Sequence, residues 1–129
     1  MTQEDKDLLL KDLCARLPYN LMVEYKGETY SVLGITHGRL VLCKPFMSYT
    51  LDEHPLVQEV KPYLFPLSSM TEEQRDEYIS TCDYQNTYDI NNEWIPTLTT
   101  FDWCNKNYFD YRGLIPMGLA NDCTNLNIY

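Results

Sequence analysis

Apolar residues recur at helical spacing near the start of the chain. Leu9, Leu10, Leu13 and Leu17 share one stripe of a helix, and Cys14 lies on the same stripe. The charged residues fall largely outside it: Glu4, Asp5, Lys11, Asp12 and Arg16. Thr2 or a neighbour supplies an N-terminal cap, and Pro18 ends the helix because the residue before a proline is pushed out of the α region. The pattern predicts an amphipathic helix over about residues 3–17, with Cys14 as a small core residue.

The hydrophobic period changes to two after this helix. Leu21, Val23 and Tyr25 alternate with polar or flexible side chains, and two further runs follow, rich in β-branched, aromatic and aliphatic residues. Turn residues separate the runs at 26–28 and 37–38, where glycine accepts a positive φ angle. The pattern predicts a three-stranded antiparallel meander over residues 21–44.

The second half of the chain has weaker patterning. Prolines at 55, 62 and 66 restrict the region after the meander, and two short strands are predicted at 57–61 and 63–67. Capping-box spacing, Thr71 with Gln74 or Ser69 with Glu72, predicts a second helix over about 72–82. Residues 83–93 are polar and predict a surface loop.

Thr99 or Thr100 then caps a third helix that runs through Tyr108 and is broken at 112–113. Residues 114–120 predict a turn or short helix, and 121–129 an edge strand or a frayed end. Together these elements predict an α+β fold, a small antiparallel sheet of three to five strands with about three helices packed on one side. A chain of 129 residues fits a single domain, 1–129.

Charge restricts the classes of partner. Nineteen acidic against ten basic side chains give a formal charge of -9, which repels nucleic-acid phosphates and anionic membrane surfaces. The carboxylates are dispersed, so solubility explains them better than imitation of DNA does, although both interpretations stay open. We expect no nucleic-acid partner and no membrane association.

The start of the chain and the cysteines indicate a compartment. The first seven residues are polar and acidic, unlike a secretory signal, and no apolar run reaches the roughly 20 residues that span a bilayer. The five cysteines, at 14, 43, 82, 104 and 123, are odd in number and contain no CxxC pair. These features predict a cytoplasmic protein with free thiols.

Familiar catalytic and metal-binding patterns are missing from the sequence. His37 and His54 are the only histidines, and their surroundings are those of a turn and a loop rather than of a base for a cysteine nucleophile. Isolated cysteines lack the paired spacing of zinc ligands. No glycine-rich phosphate loop, GxSxG or HExxH motif occurs. The sequence therefore predicts no catalytic residue, no metal and no cofactor.

Three stretches of the chain resemble short proteins of Bacteroides-type gut bacteria and their phages. They are residues 1–19 (MTQEDKDLLLKDLCARLPY), residues 61–64 and 68–73 (KPYL and SSMTEE), and residues 109–120 (FDYRGLIPMGLA). The resemblance implies a bacterial or phage origin, and it implies no activity, cofactor or site residue.

The aromatic segment from Trp94 to Arg112 stands out as a candidate binding region. Its rings bury large areas with few rotors, and tyrosine, tryptophan and arginine dominate binding hot spots. The candidate binding residues are Trp103, Tyr108, Tyr111 and Arg112. The alternative is that these rings fill the core, with one of Phe101 and Trp103 buried and the other more exposed, because they point about 200° apart on a helix.

Two function classes follow from these observations. The sequence favours a non-catalytic protein that binds or modulates a cellular protein. The alternative is a small enzyme of unrecognised type that uses Asp or Glu with Tyr or Arg. Partner, process and oligomeric state stay open.

Overall fold

The computed structural model describes residues 1–45, 50–85 and 93–129. Its elements are α1 (Gln3–Arg16), β1 (Met22–Tyr25), β2 (Glu28–Thr36), β3 (Arg39–Cys43), β4 (Lys61–Pro66), α2 (Glu72–Ser80), β5 (Asp83–Gln85), β6 (Glu93–Ile95), α3 (Leu98–Lys106), β7 (Phe109–Asp110) and β8 (Asn121–Asp122). The α+β class is confirmed. The sheet, predicted to be antiparallel, is mixed and mostly antiparallel, because β7 and β8 pair with β4 in parallel.

The main sheet has the strand order β3-β2-β1-β4-β7, and β8 also pairs with β4. β1, β2 and β3 form the predicted meander, and β4 joins the other side of β1 in antiparallel register, with Val23 opposite Pro62. β7 and β8 run parallel to β4. β5 and β6 form a separate two-stranded hairpin.

Positive φ angles explain the two tight turns of the meander. Lys26 and Gly27 have φ angles of 50° and 77°, and His37 and Gly38 have 53° and 73°. Two consecutive residues with positive φ give the two-residue hairpin turn whose twist matches that of the flanking strands. The turn at His37 therefore has the backbone geometry that the sequence predicted.

The core lies between α1 and one face of the sheet. Leu9 and Leu13 of α1 are fully buried and belong to one apolar cluster with Leu21, Val23 and Leu64. A smaller cluster contains Met22, Tyr63 and Cys123. Because Met22 and Val23 are successive strand residues, their side chains point to opposite faces of the sheet.

The polarity pattern of α1 was misleading at three positions. Asp12 and Arg16, which fall outside the apolar stripe, are both 0% exposed. Cys14, predicted as a core residue, is exposed. The reason is that Asp12 and Arg16 neutralise each other inside the protein, so the buried face of α1 is rotated toward them and away from Cys14.

Several local predictions also differ from the structure. Val57–Glu59 forms a 3-10 turn instead of a strand, and α3 begins after Thr97 and ends at Lys106. The predicted loop at 83–93 contains β5 and the start of β6, while its residues 86–92 lie outside the described part. In the described ranges, no helix combines the length and apolar character that crossing a bilayer requires.

Candidate protein-binding surface

Threonine hydroxyl groups position α3 at the start of the aromatic segment. Thr97 caps the helix: its hydroxyl accepts from the Thr100 N–H at 3.4 Å, while the Thr100 hydroxyl accepts from the Thr97 N–H at 2.9 Å. Both hydroxyls lie 2.9 Å from the Thr81 carbonyl oxygen. The cap therefore also ties α3 to the end of α2, which fixes the side chains that α3 presents.

Tyr111 and Arg112 lie together beside the buried ion pair of α1. Arg112 donates through Nη1 to Asp12 Oδ1 at 2.8 Å, and its guanidinium carbon lies 4.6 Å from the centre of the Tyr111 ring. The Tyr111 hydroxyl donates to Asn105 Oδ1 at 3.0 Å. The Arg112 side chain is 16% exposed. Arg112, predicted as a binding residue, is therefore paired internally with an acid.

Arg16 extends this ionic network to the backbone of the aromatic segment. Its Nε and Nη2 donate to the two carboxylate oxygens of Asp12 at 3.0 Å and 3.1 Å. Its Nη1 donates to the Cys104 carbonyl oxygen at 3.2 Å, and its Nη2 also donates to the Phe109 carbonyl oxygen at 2.7 Å. Asp12 thus accepts from two guanidinium groups, and the network holds α1, α3 and β7 together.

Tyr108 belongs to a different part of the molecule. Its φ angle is 64°, and its ring stacks on that of Tyr129 with the centroids 3.6 Å apart. Its hydroxyl donates to the carbonyl oxygen of Tyr19. Burial raises the pKa of the Tyr108 hydroxyl. Tyr108 therefore connects the end of α3 to the C-terminal segment and to the turn before β1.

The Tyr129 hydroxyl bridges two strands of the main sheet. It accepts from the Met22 N–H at 3.0 Å and donates to the Tyr63 carbonyl oxygen at 2.9 Å. Burial raises the pKa of this hydroxyl. Val23 of β1 is paired with Pro62 of β4, so Met22 and Tyr63 would be the next antiparallel pair of these two strands. The Tyr129 phenol lies between Met22 and Tyr63 and takes the place of a direct backbone hydrogen bond.

A groove of about 590 Å³ lies beside this phenol, on the outer face of the sheet. Tyr108 and Tyr129 line one side, and Met22, Ser31 and Leu33 contribute from the strands. Most of its lining is apolar. The hydroxyl of Ser31 donates to Asn20 Oδ1 at 2.6 Å, so each of these three hydroxyls has a partner within the chain.

Trp103 packs between β7 and α2. Its ring is stacked on that of Phe109, with centroids 5.4 Å apart, and meets the Tyr78 ring edge-on at 6.0 Å. Its Nε1 donates to Glu77 Oε2 at 3.2 Å. Phe101 points elsewhere, is 37% exposed and contacts the Tyr111 ring at 5.0 Å. The four predicted binding residues therefore do not share one surface: only Tyr111 and Arg112 lie together.

Large apolar side chains are nevertheless exposed at the start of the aromatic segment. Trp94 is 47% exposed, Ile95 39% and Leu98 83%. Leu98 is not among the predicted binding residues, although its helical spacing from Phe101 indicates a shared face. An apolar surface on the outside of a folded domain is a typical protein-interaction site.

Trp94 also lines a cleft of about 310 Å³, here called the α2 cleft. Its remaining lining residues come from α2 and the turn before it: Leu67, Met70, Arg75, Tyr78 and Ile79. Arg75, Tyr78 and Ile79 share one face of α2 because they are three and four residues apart. Burial raises the pKa of the Tyr78 hydroxyl. The Trp103 ring lies behind Tyr78, so both tryptophans of the chain are near this cleft.

Acidic side chains lie on α2 beside the cleft, whose described lining contains one cation, Arg75, and no carboxylate. α2 has a single cation, Arg75. It also carries four exposed carboxylates, those of Glu72, Glu73, Asp76 and Glu77. By helical spacing, Glu72 and Asp76 lie next to the cleft face. Thr71 caps this helix, and the acidic first turn suits the helix dipole. The result is an apolar recess with a negative border.

Two buried cysteines are poor candidates for a nucleophile, and the described residues contain no group of metal ligands. Burial raises the pKa of the Cys104 thiol to about 11 and likewise that of Cys123 to about 11, which disfavours the nucleophilic thiolate. Within residues 1–45, 50–85 and 93–129, no three His, Cys, Asp or Glu side chains come together as a metal-binding group.

Comparison with known proteins found no matching family model, no matching curated protein and no matching solved structure.

Proposed function

We propose that this chain is a non-catalytic protein that binds and modulates a cellular protein through the α2 cleft. The partner segment supplies one apolar side chain to the cleft and basic side chains to its border. The observation that carries the proposal is the pairing of a half-exposed tryptophan, Trp94, with an acidic helix along the same recess.

The apolar part of the cleft supplies affinity. Trp94 and Leu67 are 47% and 40% exposed, so a partner side chain that covers them removes apolar area from water. Tryptophan is the residue type most enriched in binding hot spots, and such residues contribute most when a ring of contacts excludes water around them. Tyr78 is held by the Trp103 ring, so the floor of the cleft is preorganised.

The acidic part of the cleft supplies selectivity. Glu72 and Asp76 border the recess, and the whole chain carries a formal charge of -9. Complementary charge speeds encounter and disfavours partners of the same sign. A basic protein segment is therefore the partner of best fit, and the negative field disfavours phosphate backbones.

The alternative function, a small enzyme, would use an acid with a tyrosine or an arginine. Such side chains do lie near one another, but they are bonded to partners within the chain. Asp12, Tyr111 and Arg112 meet at the end of α1, where the Asp12 carboxylate accepts from two arginines and is fully buried. The large groove on the sheet is mostly apolar, and its Ser31, Tyr108 and Tyr129 hydroxyls have internal partners. No observation favours a reaction over binding.

Origin and location are part of the same proposal. A bacterial or phage source is supported by the sequence resemblance alone. A cytoplasmic location is supported by the composition of the chain and by the absence of a disulfide among its five cysteines, all of which lie in the described residues.

Affinity capture from a Bacteroides lysate tests the proposal. We expect the immobilised chain to retain a basic protein, and the Trp94→Ala variant to lose it because the exposed ring is removed. Asp76→Lys should also weaken capture, since it reverses one border charge. The purified partner should then bind Trp94→Ala at least about tenfold more weakly in titration calorimetry.

Leu126→Ala is the matched control, because Leu126 is 53% exposed and lies outside the cleft. It should capture the same protein as the unmodified chain. Equal capture by Trp94→Ala and Leu126→Ala, or capture of an acidic protein whose binding ignores Asp76, would refute the proposed surface.

A further inference from the structure

The structure brings both histidines of the chain into one cleft, although they are 17 positions apart in the sequence. His37 lies in the turn between β2 and β3, and His54 lies in the segment that runs alongside β3. Thr36, Arg39 and Val41 complete the lining of this cleft, which has a volume of about 370 Å³. We call it the histidine cleft. It is separate from the α2 cleft.

Backbone hydrogen bonds hold the two sides of the histidine cleft in place. The Leu40 N–H donates to the Pro55 carbonyl oxygen at 2.8 Å, and the Val57 N–H donates to the Gly38 carbonyl oxygen at 3.2 Å. Arg39 also pairs with Leu56 as an isolated antiparallel bridge. The His54 segment is therefore attached to β3 and to the β2–β3 turn, which holds the two sides of the cleft together.

Arg39 is fixed at the edge of this cleft. Its Nη1 donates to the His54 carbonyl oxygen at 3.0 Å, which uses one of the five N–H donors of a guanidinium group. Arg39, His37 and His54 are exposed, and within the described residues neither the other N–H groups of Arg39 nor the two imidazoles have a protein hydrogen-bond partner. The guanidinium, two imidazoles and the Thr36 hydroxyl thus bring several free donors to one recess.

We infer that the histidine cleft binds a small oxyanion, a phosphate or carboxylate group on a compact molecule. Arginine suits both groups because its planar fork matches two oxygen atoms at once. The Val41 side chain gives the recess an apolar wall for the body of the ligand. In a chain of net charge -9, this concentration of donors is a local exception.

The acidic residues next to His54 leave the cleft's donors free. The Glu53 carboxylate accepts from the Tyr25 hydroxyl at 2.7 Å and from Lys26 Nζ at 3.1 Å, which directs it to the opposite turn of the meander. Asp52 is exposed and forms no ion pair within the described residues. A metal cation would instead meet the Arg39 guanidinium, whose charge repels it.

Titration of inorganic phosphate, with sodium chloride holding the ionic strength constant, tests this inference. The readout is the imidazole nitrogen signals of His37 and His54 in NMR spectra. We expect both sets of signals to shift along one saturable curve, with a dissociation constant on the order of 1 mM. A parallel titration with benzoate separates the two sources: saturation by phosphate alone identifies a phosphoryl ligand, and saturation by benzoate alone a carboxylate.

Arg39→Gln should weaken binding at least about tenfold, because it removes the charged fork. Arg75→Gln is the matched control, since Arg75 is an exposed arginine outside the histidine cleft, and its curve should equal that of the unmodified chain. His37→Asn keeps a residue that tolerates positive φ, so it tests the imidazole without breaking the turn. Shifts that stay linear in both phosphate and benzoate, or equal curves for Arg39→Gln, His37→Asn and Arg75→Gln, would overturn the inference.

Discussion

Asp12 and Arg16 form a bidentate ion pair inside the protein: Arg16 Nε lies 3.0 Å from Asp12 Oδ2, and Arg16 Nη2 lies 3.1 Å from Asp12 Oδ1. Both side chains are 0% exposed. The pair joins residues one helical turn apart, yet Arg16 also bonds to the Cys104 and Phe109 carbonyl oxygens. A local contact on α1 therefore positions the aromatic segment, which is distant in sequence.

Removing the carboxylate should destabilise the fold strongly. Asp12→Ala leaves the buried Arg16 guanidinium without its counter-charge, and breaking one partner of a buried pair typically costs about 3–5 kcal/mol. Denaturant unfolding measures the loss. Asp7→Ala is the control on the same helix, because Asp7 is exposed and, among the described residues, its side chain bonds only to Gln3. Equal unfolding midpoints for the two variants would contradict this role of Asp12.

The Tyr129 phenol should be needed for sheet stability. Tyr129→Phe keeps the ring on Tyr108 but removes the hydroxyl that bridges Met22 and Tyr63. Leaving a buried N–H without a partner costs about 1–3 kcal/mol, measurable in urea unfolding. Tyr19→Phe is the matched control, because the Tyr19 hydroxyl makes no hydrogen bond within the described residues. A loss no larger than that of Tyr19→Phe would show that the bridge is energetically unimportant.

Stability should fall in alkaline solution. Burial raises the pKa of the Cys104 and Cys123 thiols to about 11, from 9.0. Below pH 9 the thiols are protonated in both states, and their contribution is constant. Between about pH 9 and pH 11 the unfolded chain loses these protons while the folded chain keeps them, so stability declines as pH rises.

Denaturant midpoints at several pH values measure this decline. Cys123→Ala should flatten the curve between pH 9 and pH 11 by removing one of the two thiols, whereas Cys14→Ala, at an exposed cysteine, should leave its slope unchanged. A slope that does not respond to Cys123→Ala would mean that other groups cause the alkaline loss.

Much of the fold was predictable where its causes are local. The capping box of Thr71 and Gln74 marks the start of α2, Pro18 closes α1, and residue pairs with positive φ make the turns of the meander. These signals act over three or four residues, so the sequence displays them directly. The α+β class followed from counting such elements.

Long-range pairings were not predictable in the same way. The parallel contacts of β7 and β8 with β4 join strands of two residues each, which leave no periodic pattern. The burial of Arg16 depends on backbone carbonyl groups about 90 positions later in the chain. The candidate site was predicted in part: the aromatic segment contains Trp94, but the cleft also needs the apolar face of α2.

The Cys14 thiol should be the reactive one of three, although the helix pattern predicted it as a core residue. Cys14 is exposed, whereas Cys104 and Cys123 are each 1% exposed. Brief treatment with iodoacetamide, followed by peptide mass spectrometry, should label Cys14 first and the two buried thiols only after denaturation. Early labelling of Cys104 would contradict the packing of α3 against its neighbours.

Hydrogen–deuterium exchange of the chain with and without its captured partner tests the central claim most directly. Because the partner is proposed to cover the α2 cleft, exchange should slow in α2 and around Trp94 and stay unchanged in the β2–β3 hairpin. Protection confined to the β2–β3 hairpin or to the groove beside Tyr129, with α2 exchanging as in the isolated chain, would contradict the α2 cleft as the binding surface.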